Sequence, residues 1–308
     1  MKIVKLMITL EILLGGLIFS TFALSDEVNV SNVDNSAPVT SEASQNPTWS
    51  FPSSVALVSD YIWRGQSQTW GNPALQAGIE IDHSSGLYLG LWGSNVSSHW
   101  LPNANLETDW SIGYRNTIFK DFKYDIGGVY VFYPDGNFSK VPVFKYAHSR
   151  LDTLEIYGSI SWQWLSLKAG FNPTQFYGWN PNNSGGPGVG ANSPSFPGDL
   201  NAGVIHEGNT RWSHYLQADV SYDMSGIFNG FNISGEIGHQ YIEDSTGLDW
   251  TWYKIGITRS FDYGIAVNAF LTGTSGSSAF NGFPSFDNAN DVSNVDKTKL
   301  VFGITKSF

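Results

Sequence analysis

The stretch Lys297-Thr298-Lys299-Leu300-Val301-Phe302-Gly303-Ile304-Thr305-Lys306-Ser307-Phe308 decides the fold. Thr298, Leu300, Phe302, Ile304 and Phe308 share one face; Lys299, Val301, Gly303, Thr305 and Ser307 share the other. A period of two belongs to a β-strand, and a single apolar face makes that strand half-buried. An aromatic, lipid-type face that runs to a C-terminal Phe is the pattern of a closing strand in an outer-membrane β-barrel. The bilayer then stands where a core would be, and Phe308 is the candidate assembly signal. Lys306 falls on the lipid-facing row, where a long stem lets its ammonium reach the headgroups.

Working outward, eleven further strand-like runs precede it, near 53–64, 74–83, 86–97, 106–117, 122–133, 152–161, 164–171, 210–223, 231–241, 249–259 and 263–273. Near 231–241, Phe231, Ile233, Gly235 and Ile237 oppose Asn232, Ser234, Glu236 and Gly238. The links between runs alternate in length. His83 to Gly86, Thr117 to Phe122, Trp162 to Trp164, Met224 to Gly230 and Ser260 to Tyr263 are short. Gly65 to Pro73, Ser98 to Asn105, Pro134 to Asp152, Asn172 to Asn209, Ile242 to Leu248 and Ser275 to Asp296 are longer or more polar. Short turns on one side and long loops on the other suit an outer-membrane barrel, with the turns periplasmic. The expectation is an all-β chain: a single antiparallel transmembrane β-barrel of about 12 strands over 53–308. Within it, Asn172 to Asn209 is Gly- and Pro-rich and reads as an external loop or as a plug for the mouth.

Composition agrees. Charged residues make up 14% of the 308, well below the usual quarter, while aromatics reach 15% and glycines number 33. Mean hydropathy is −0.15, and beyond the N-terminal stretch no run offers the roughly 20 apolar residues a spanning helix needs. The absence of cysteine excludes disulfides, thiolate metal sites and Cys nucleophiles. A net charge of −11 argues against nucleic acid as a partner. At the N-terminus, Lys2 and Lys5 precede an apolar run to Ile18, and Ala23 stands at a cleavage site, so 1–23 reads as a secretory signal peptide despite Glu11. Residues 24–52 lack period and read as a disordered periplasmic tail.

Several blocks resemble a known family. They are Val55-Ala56-Leu57-Val58-Ser59-Asp60-Tyr61, Arg64-Gly65-x-Ser67-Gln68, Asn72-Pro73-Ala74-Leu75-Gln76 and Ser85-Gly86-Leu87-Tyr88-Leu89-Gly90-x-Trp92-x-Ser94-Asn95. Tyr124-Asp125-Ile126-Gly127, Tyr133-Pro134, Trp252-x-Lys254-x-Gly256-Ile257 and the Lys306-Ser307-Phe308 ending are similar too. Together they resemble the TorF-type porin family over 53–308. The resemblance implies an outer-membrane barrel with a pore role, without a known substrate or assigned residues. The 172–209 and 275–296 loops depart from it.

Alternation selects the candidate lumen residues. Asp60 and Arg64 come out inward if Tyr61 and Trp63 join the outer aromatic girdle. Glu80, Glu107, Asp109, Arg115, Lys168, Arg211, Asp219, Glu236 and Lys254 follow by the same rule, as do Asp82, Lys123, Asp125, Glu155 and Lys299. These are solute-contacting positions or ion-pair networks that stiffen the wall, since inward charges seek partners. His214 and His239 fall on the outer face of neighbouring strands and suit interfacial rings better than a metal site. No Gly-x-Ser-x-Gly elbow occurs, so no catalytic residue, metal or cofactor is expected. The function expected is a channel for passive passage of small hydrophilic solutes in the bacterial outer membrane. Lipid, lipopolysaccharide and the barrel-assembly machinery would be its partners. The alternatives are a non-conducting structural or adhesin barrel, and an outer-membrane lipid hydrolase.

Overall fold

The computed structural model describes residues 48–119, 121–142, 148–180, 209–244, 248–276 and 280–308. The expected signal peptide and most of the expected tail lie outside these residues, as do 181–208 of the long Gly- and Pro-rich segment.

Twelve strands form the wall: β1 (Ser53–Val58), β2 (Ala74–His83), β3 (Leu87–Asn95), β4 (Leu106–Ile118), β5 (Phe122–Phe132), β6 (Thr153–Trp162), β7 (Leu165–Phe171), β8 (His214–Asp223), β9 (Phe231–Tyr241), β10 (Trp250–Phe261), β11 (Ile265–Gly276) and β12 (Lys299–Ser307). Each pairs antiparallel with its neighbours in sequence, and β12 pairs back onto β1 from Gly303↔Val58 to Ser307↔Ser54. The barrel is therefore closed and has no sheet edge, as lipid requires of a backbone that water cannot reach. The expected fold and strand number are both found. Pairing starts slightly before the expected barrel, because Trp49 and Ser50 add to β2 opposite His83 and Asp82, with the Trp49 and His83 rings 4.5 Å apart.

The alternation sorts the two faces. Leu57, Leu89, Ile112, Ile126, Ile160, Leu216, Ile237, Ile255, Leu300 and Phe302 point outward and are exposed. So broad an apolar band would drive aggregation in water and marks a lipid-facing surface. Aromatic rings flank it at both rims: Phe122 stacks on Trp162 at the short-turn end and Phe171 on Trp212 at the loop end. Lys306 turns its ammonium to the Tyr263 carbonyl, 2.5 Å away in the β10–β11 turn, and so leaves the apolar band.

Inside, four aromatic side chains lie across glycines directly opposite them on the next strand. The pairs are Tyr88↔Gly113, Tyr157↔Gly127, Tyr215↔Gly170 and Trp252↔Gly238. A Cβ at Gly113 would stand 2.2 Å from the Tyr88 hydroxyl, and one at Gly238 2.1 Å from the Trp252 ring. Each glycine thus opens the slot that its aromatic partner fills, in four of the six hairpins joined at the loop end. Flat rings brace the wall while leaving the axis to longer polar side chains.

Candidate functional site

The first long loop enters the lumen. Beyond Val58 the chain leaves the wall and forms a small hairpin, Ile62–Trp63 against Gln66–Ser67. Arg64 (φ 45°) and Gly65 (φ 81°) make its tip. Positive φ at both central residues is the two-residue turn whose twist matches paired strands. Asp60 fixes the base: it accepts from Ser67 Oγ at 2.6 Å, Thr69 Oγ1 at 2.9 Å and Lys299 Nζ at 2.8 Å. At the tip, a Cβ on Gly65 would meet the Gly273 carbonyl at 2.6 Å, so β11 admits only glycine there.

Arg64 is 6% exposed and spans the lumen. Its guanidinium donates to Glu155 Oε2 at 2.9 Å and Gln240 Oε1 at 2.6 Å, and lies 3.7 Å from the Tyr215 ring centre and 4.5 Å from that of Trp63. Tyr215 closes the circuit by donating to Glu155 Oε1 at 2.8 Å. Trp250 Nε1 holds the Arg64 carbonyl at 2.9 Å. One turn is thereby pinned to β6, β8, β9, β10 and β11.

Above the hairpin, the other loops fold over the mouth. Trp100, Leu101, Phe138, Leu151, Phe176 and Phe286 are buried there in one apolar cluster with Tyr61 and Trp250. This is the largest departure from the expected arrangement. Tyr61 and Trp63 belong to the interior rather than to the outer girdle, because the strand that would have carried them outward ends at Val58. Tyr61 is 1% exposed and donates to Glu107 Oε1 at 2.7 Å; Tyr133 donates to Oε2 at 2.5 Å. Burial first, then the neighbouring Glu107 charge, pushes both phenols well above their ordinary range, so they remain donors.

Below the hairpin, charges pair across the wall. Arg115 bridges Glu80 and Asp82 and covers the Tyr88 ring at 4.5 Å. Lys254 pairs with Glu236, which also accepts from Trp252 Nε1 at 2.6 Å. Asp219, Glu236, Lys254 and Lys299 stand in one cross-strand row. Asp125 accepts from Tyr88 at 2.8 Å, and Lys168 sits 4.0 Å above the Tyr157 ring. Asp219 accepts from Gln217. Asp109 is 3% exposed, and its Oδ1 has no hydrogen-bond partner; neither has Ser111 Oγ two residues along the same row.

The structure thus places Asp60, Arg64, Glu80, Glu107, Asp109, Arg115, Lys168, Asp219, Glu236 and Lys254 on the inner side. Arg211 differs: it is exposed and precedes β8, which starts at His214. Trp212 between them has φ 74°, which breaks the alternation that had carried Arg211 inward. Lys123 keeps to the inner row but is exposed at the short-turn rim. On the outer wall His214 stacks on Tyr241 at 4.8 Å, and His239 lies opposite Leu216, two register steps from His214. His239 Nδ1 meets Thr251 Oγ1 at 2.8 Å, and no carboxylate completes a metal-holding group among the described residues.

The sequence reading missed the aromatic cover of the mouth: Trp63, Trp100, Tyr133, Phe176, Tyr177, Trp250 and Phe286. Their richness in loop segments was the available signal, since aromatics in a solvated loop have no reason to cluster.

A family model described as "Bacterial protein of unknown function (Gcw_chp)" matches residues 42–308. No curated protein matches the chain. Among solved structures, the KdgM porin aligns at 8% identity over 83% of this chain and 99% of its own, with a TM-score of 0.45. OpdK of Pseudomonas aeruginosa, solved with vanillate, aligns at 13% identity over 79% of this chain and 57% of its own, TM-score 0.37. OccAB2 of Acinetobacter baumannii aligns at 11% identity over 82% and 59%, TM-score 0.37.

Proposed function

The chain belongs to the Gcw_chp family of bacterial proteins of unknown function, and we propose that it is a porin-type channel of the bacterial outer membrane for passive passage of small hydrophilic solutes. One observation carries this reading: a closed wall, apolar outside, turns a dense set of charged and amide side chains toward its axis. In a barrel built only for structure or adhesion such charges would serve as ion-pair bracing alone, at the cost of desolvating each of them. Water and polar solutes, by contrast, exchange hydration for such groups.

Residues 1–23 serve as the export signal in this reading and Phe308 as the assembly signal, with lipopolysaccharide and the assembly machinery as partners. The likeness of the opening blocks to the TorF-type porins supports the same assignment. Asp60, Glu80, Glu107, Asp109, Arg115, Lys168, Asp219, Glu236 and Lys254 line the route, with Arg64 across it.

A second reading, a non-conducting barrel, draws on the apolar cluster over the mouth. Single-channel recording of the refolded chain in a planar bilayer separates the two. Discrete conductance steps are expected from the full chain and larger ones from a chain lacking 172–209. Silence from both establishes the non-conducting reading.

A further inference from the structure

At the loop end of β5 to β8 lies an open cavity of about 530 Å³, whose lining includes His148, Arg150, Asp152, Thr174, Gln175 and Arg211. It borders the lipid-facing rings. The Arg150 guanidinium lies 5.5 Å from the Phe132 ring centre, Phe132 stacks on the exposed Tyr130, and the Tyr130 hydroxyl donates to Asp152 Oδ2 at 3.4 Å. Arg211 directly precedes Trp212, which stacks on Phe171 in the girdle. Rings of this kind mark the membrane–water interface, so the cavity stands at the level of lipid headgroups. Its charge balance is the reverse of the lumen's. Among the described residues its lining holds one carboxylate, Asp152, which accepts from Arg150 Nε at 2.5 Å. The side chains of Arg211, His148 and Gln175 make no ion pair or hydrogen bond among the described residues. In a chain of net charge −11, a concave site with two guanidiniums against one carboxylate selects an anion.

Below the girdle the same wall carries a shallow groove on its lipid-facing side, lined among others by Gly158, Ile160, Leu167, Ala169, Leu216 and Ala218. Gly158 and Ala169 stand opposite one another, and Ala169 is the outward position next to Phe171 on β7. A Cβ at Gly158 would meet no atom nearer than the Asp125 carbonyl at 4.0 Å, so nothing within the chain requires glycine there. A glycine inside a strand weakens it and often marks the close approach of another molecule.

We propose that the cavity binds the phosphate group of a membrane lipid in the leaflet on the loop side, with an acyl chain of that lipid in the groove below. The inference rests on the membrane placement of the channel reading and not on conduction. Arg211 supplies the primary contact: its planar fork of donors matches phosphate oxygens two at a time, and it has no partner within the chain to give up. Arg150, already held by Asp152 through Nε, adds charge, and the free Gln175 amide adds a neutral donor. The lipid source follows from position. A soluble phosphate would use the cavity alone, whereas a lipid spans the girdle and occupies the groove on the same strands.

The test uses the refolded full chain in detergent at constant ionic strength, titrated with lipid A and followed by tryptophan fluorescence and native mass spectrometry. Saturable binding is expected, at least tenfold tighter for phosphorylated lipid A than for its dephosphorylated form, and inorganic phosphate should not displace the lipid. Arg211→Gln changes an exposed side chain without partners, so the heat-modifiable gel mobility of a folded barrel should persist while lipid A binding weakens tenfold or more. Ala169→Leu fills the groove and should weaken lipid A binding severalfold. Lys140→Gln, which removes an exposed loop cation outside the cavity, should leave the affinity unchanged. Equal affinity for the two forms of lipid A, displacement by inorganic phosphate, or an affinity unmoved by Arg211→Gln overturns the proposal, as does an equal loss in Lys140→Gln. Bilayer conductance is measured on the same preparation: lipid A binding without conductance overturns the channel reading and leaves the site standing, and conductance without lipid A binding does the reverse.

Discussion

Arg64 shows what one residue does in this lumen. Its side chain and that of Glu155 are 3% and 4% exposed, so neither charge has water to fall back on. Removing one partner of such a pair costs more than the pair itself contributes, because it leaves a buried charge uncompensated. Arg64→Ala should lower stability by about 3–5 kcal/mol, whereas Arg64→Ala combined with Glu155→Ala should recover much of that loss; a double-mutant cycle on denaturant midpoints checks both. The glycine slots give a second residue-scale expectation. Gly113→Ala and Gly238→Ala press a methyl group into the Tyr88 and Trp252 rings and should each cost about 1–3 kcal/mol. Gly226→Ala, where nothing lies within 4 Å, should change little in the same unfolding assay. At this scale inward charges follow from simple alternation wherever a strand is regular. Alternation fails at Arg211, because Trp212 at positive φ separates it from the regular strand that starts at His214.

At the scale of elements, the instructive case is the segment 53–64, which reads as one strand and is not. Ser59 still bonds to β12, donating to the Phe302 carbonyl at 2.8 Å, and then the chain turns inward. The alternation runs on through Ile62 and Trp63 because the inserted hairpin is extended as well. A period of two marks extended backbone, whether it lies in the wall or inside it. The Arg64-Gly65 turn carried little warning, since such turns favour Asn or Asp before Gly. The hairpin is the main body across the lumen below the mouth. Replacing residues 61–71 with an Asn-Gly turn, together with Glu155→Gln to avoid a stranded charge, should leave a folded barrel and raise single-channel conductance severalfold. Unchanged conductance would place the narrowing elsewhere, in the aromatic cover.

The whole molecule has a charge balance that no single element shows. Nine carboxylates face the lumen side (Asp60, Glu80, Asp82, Glu107, Asp109, Asp125, Glu155, Asp219 and Glu236), against Arg64, Arg115, Lys168, Lys254 and Lys299. Four of those five cations are engaged in ion pairs, so the unpaired remainder is acidic. A narrow, low-dielectric passage magnifies such an excess. In a tenfold potassium chloride gradient the reversal potential should take the sign of cation preference and shrink as total salt rises; anion preference would contradict the pairing described here. Architecture is also settled at this scale. Twelve strands, each too short to fold alone, become stable by closing on one another, and the sorted connections put the long loops together at one end.

The sequence by itself determined the number of strands, the outward faces of the regular ones and the side on which the loops gather. All of these follow from local alternation and from turn chemistry, which act over a few residues. Tertiary structure alone decided that the first loop dips inward, that Tyr61 and Trp63 meet Glu107 and Arg64, and that aromatics from five separated loops cover the mouth. Those contacts join residues as far apart as Arg64 and Gln240. They depend on which side chains a closed barrel of this diameter brings across its axis, a distance that no local pattern encodes.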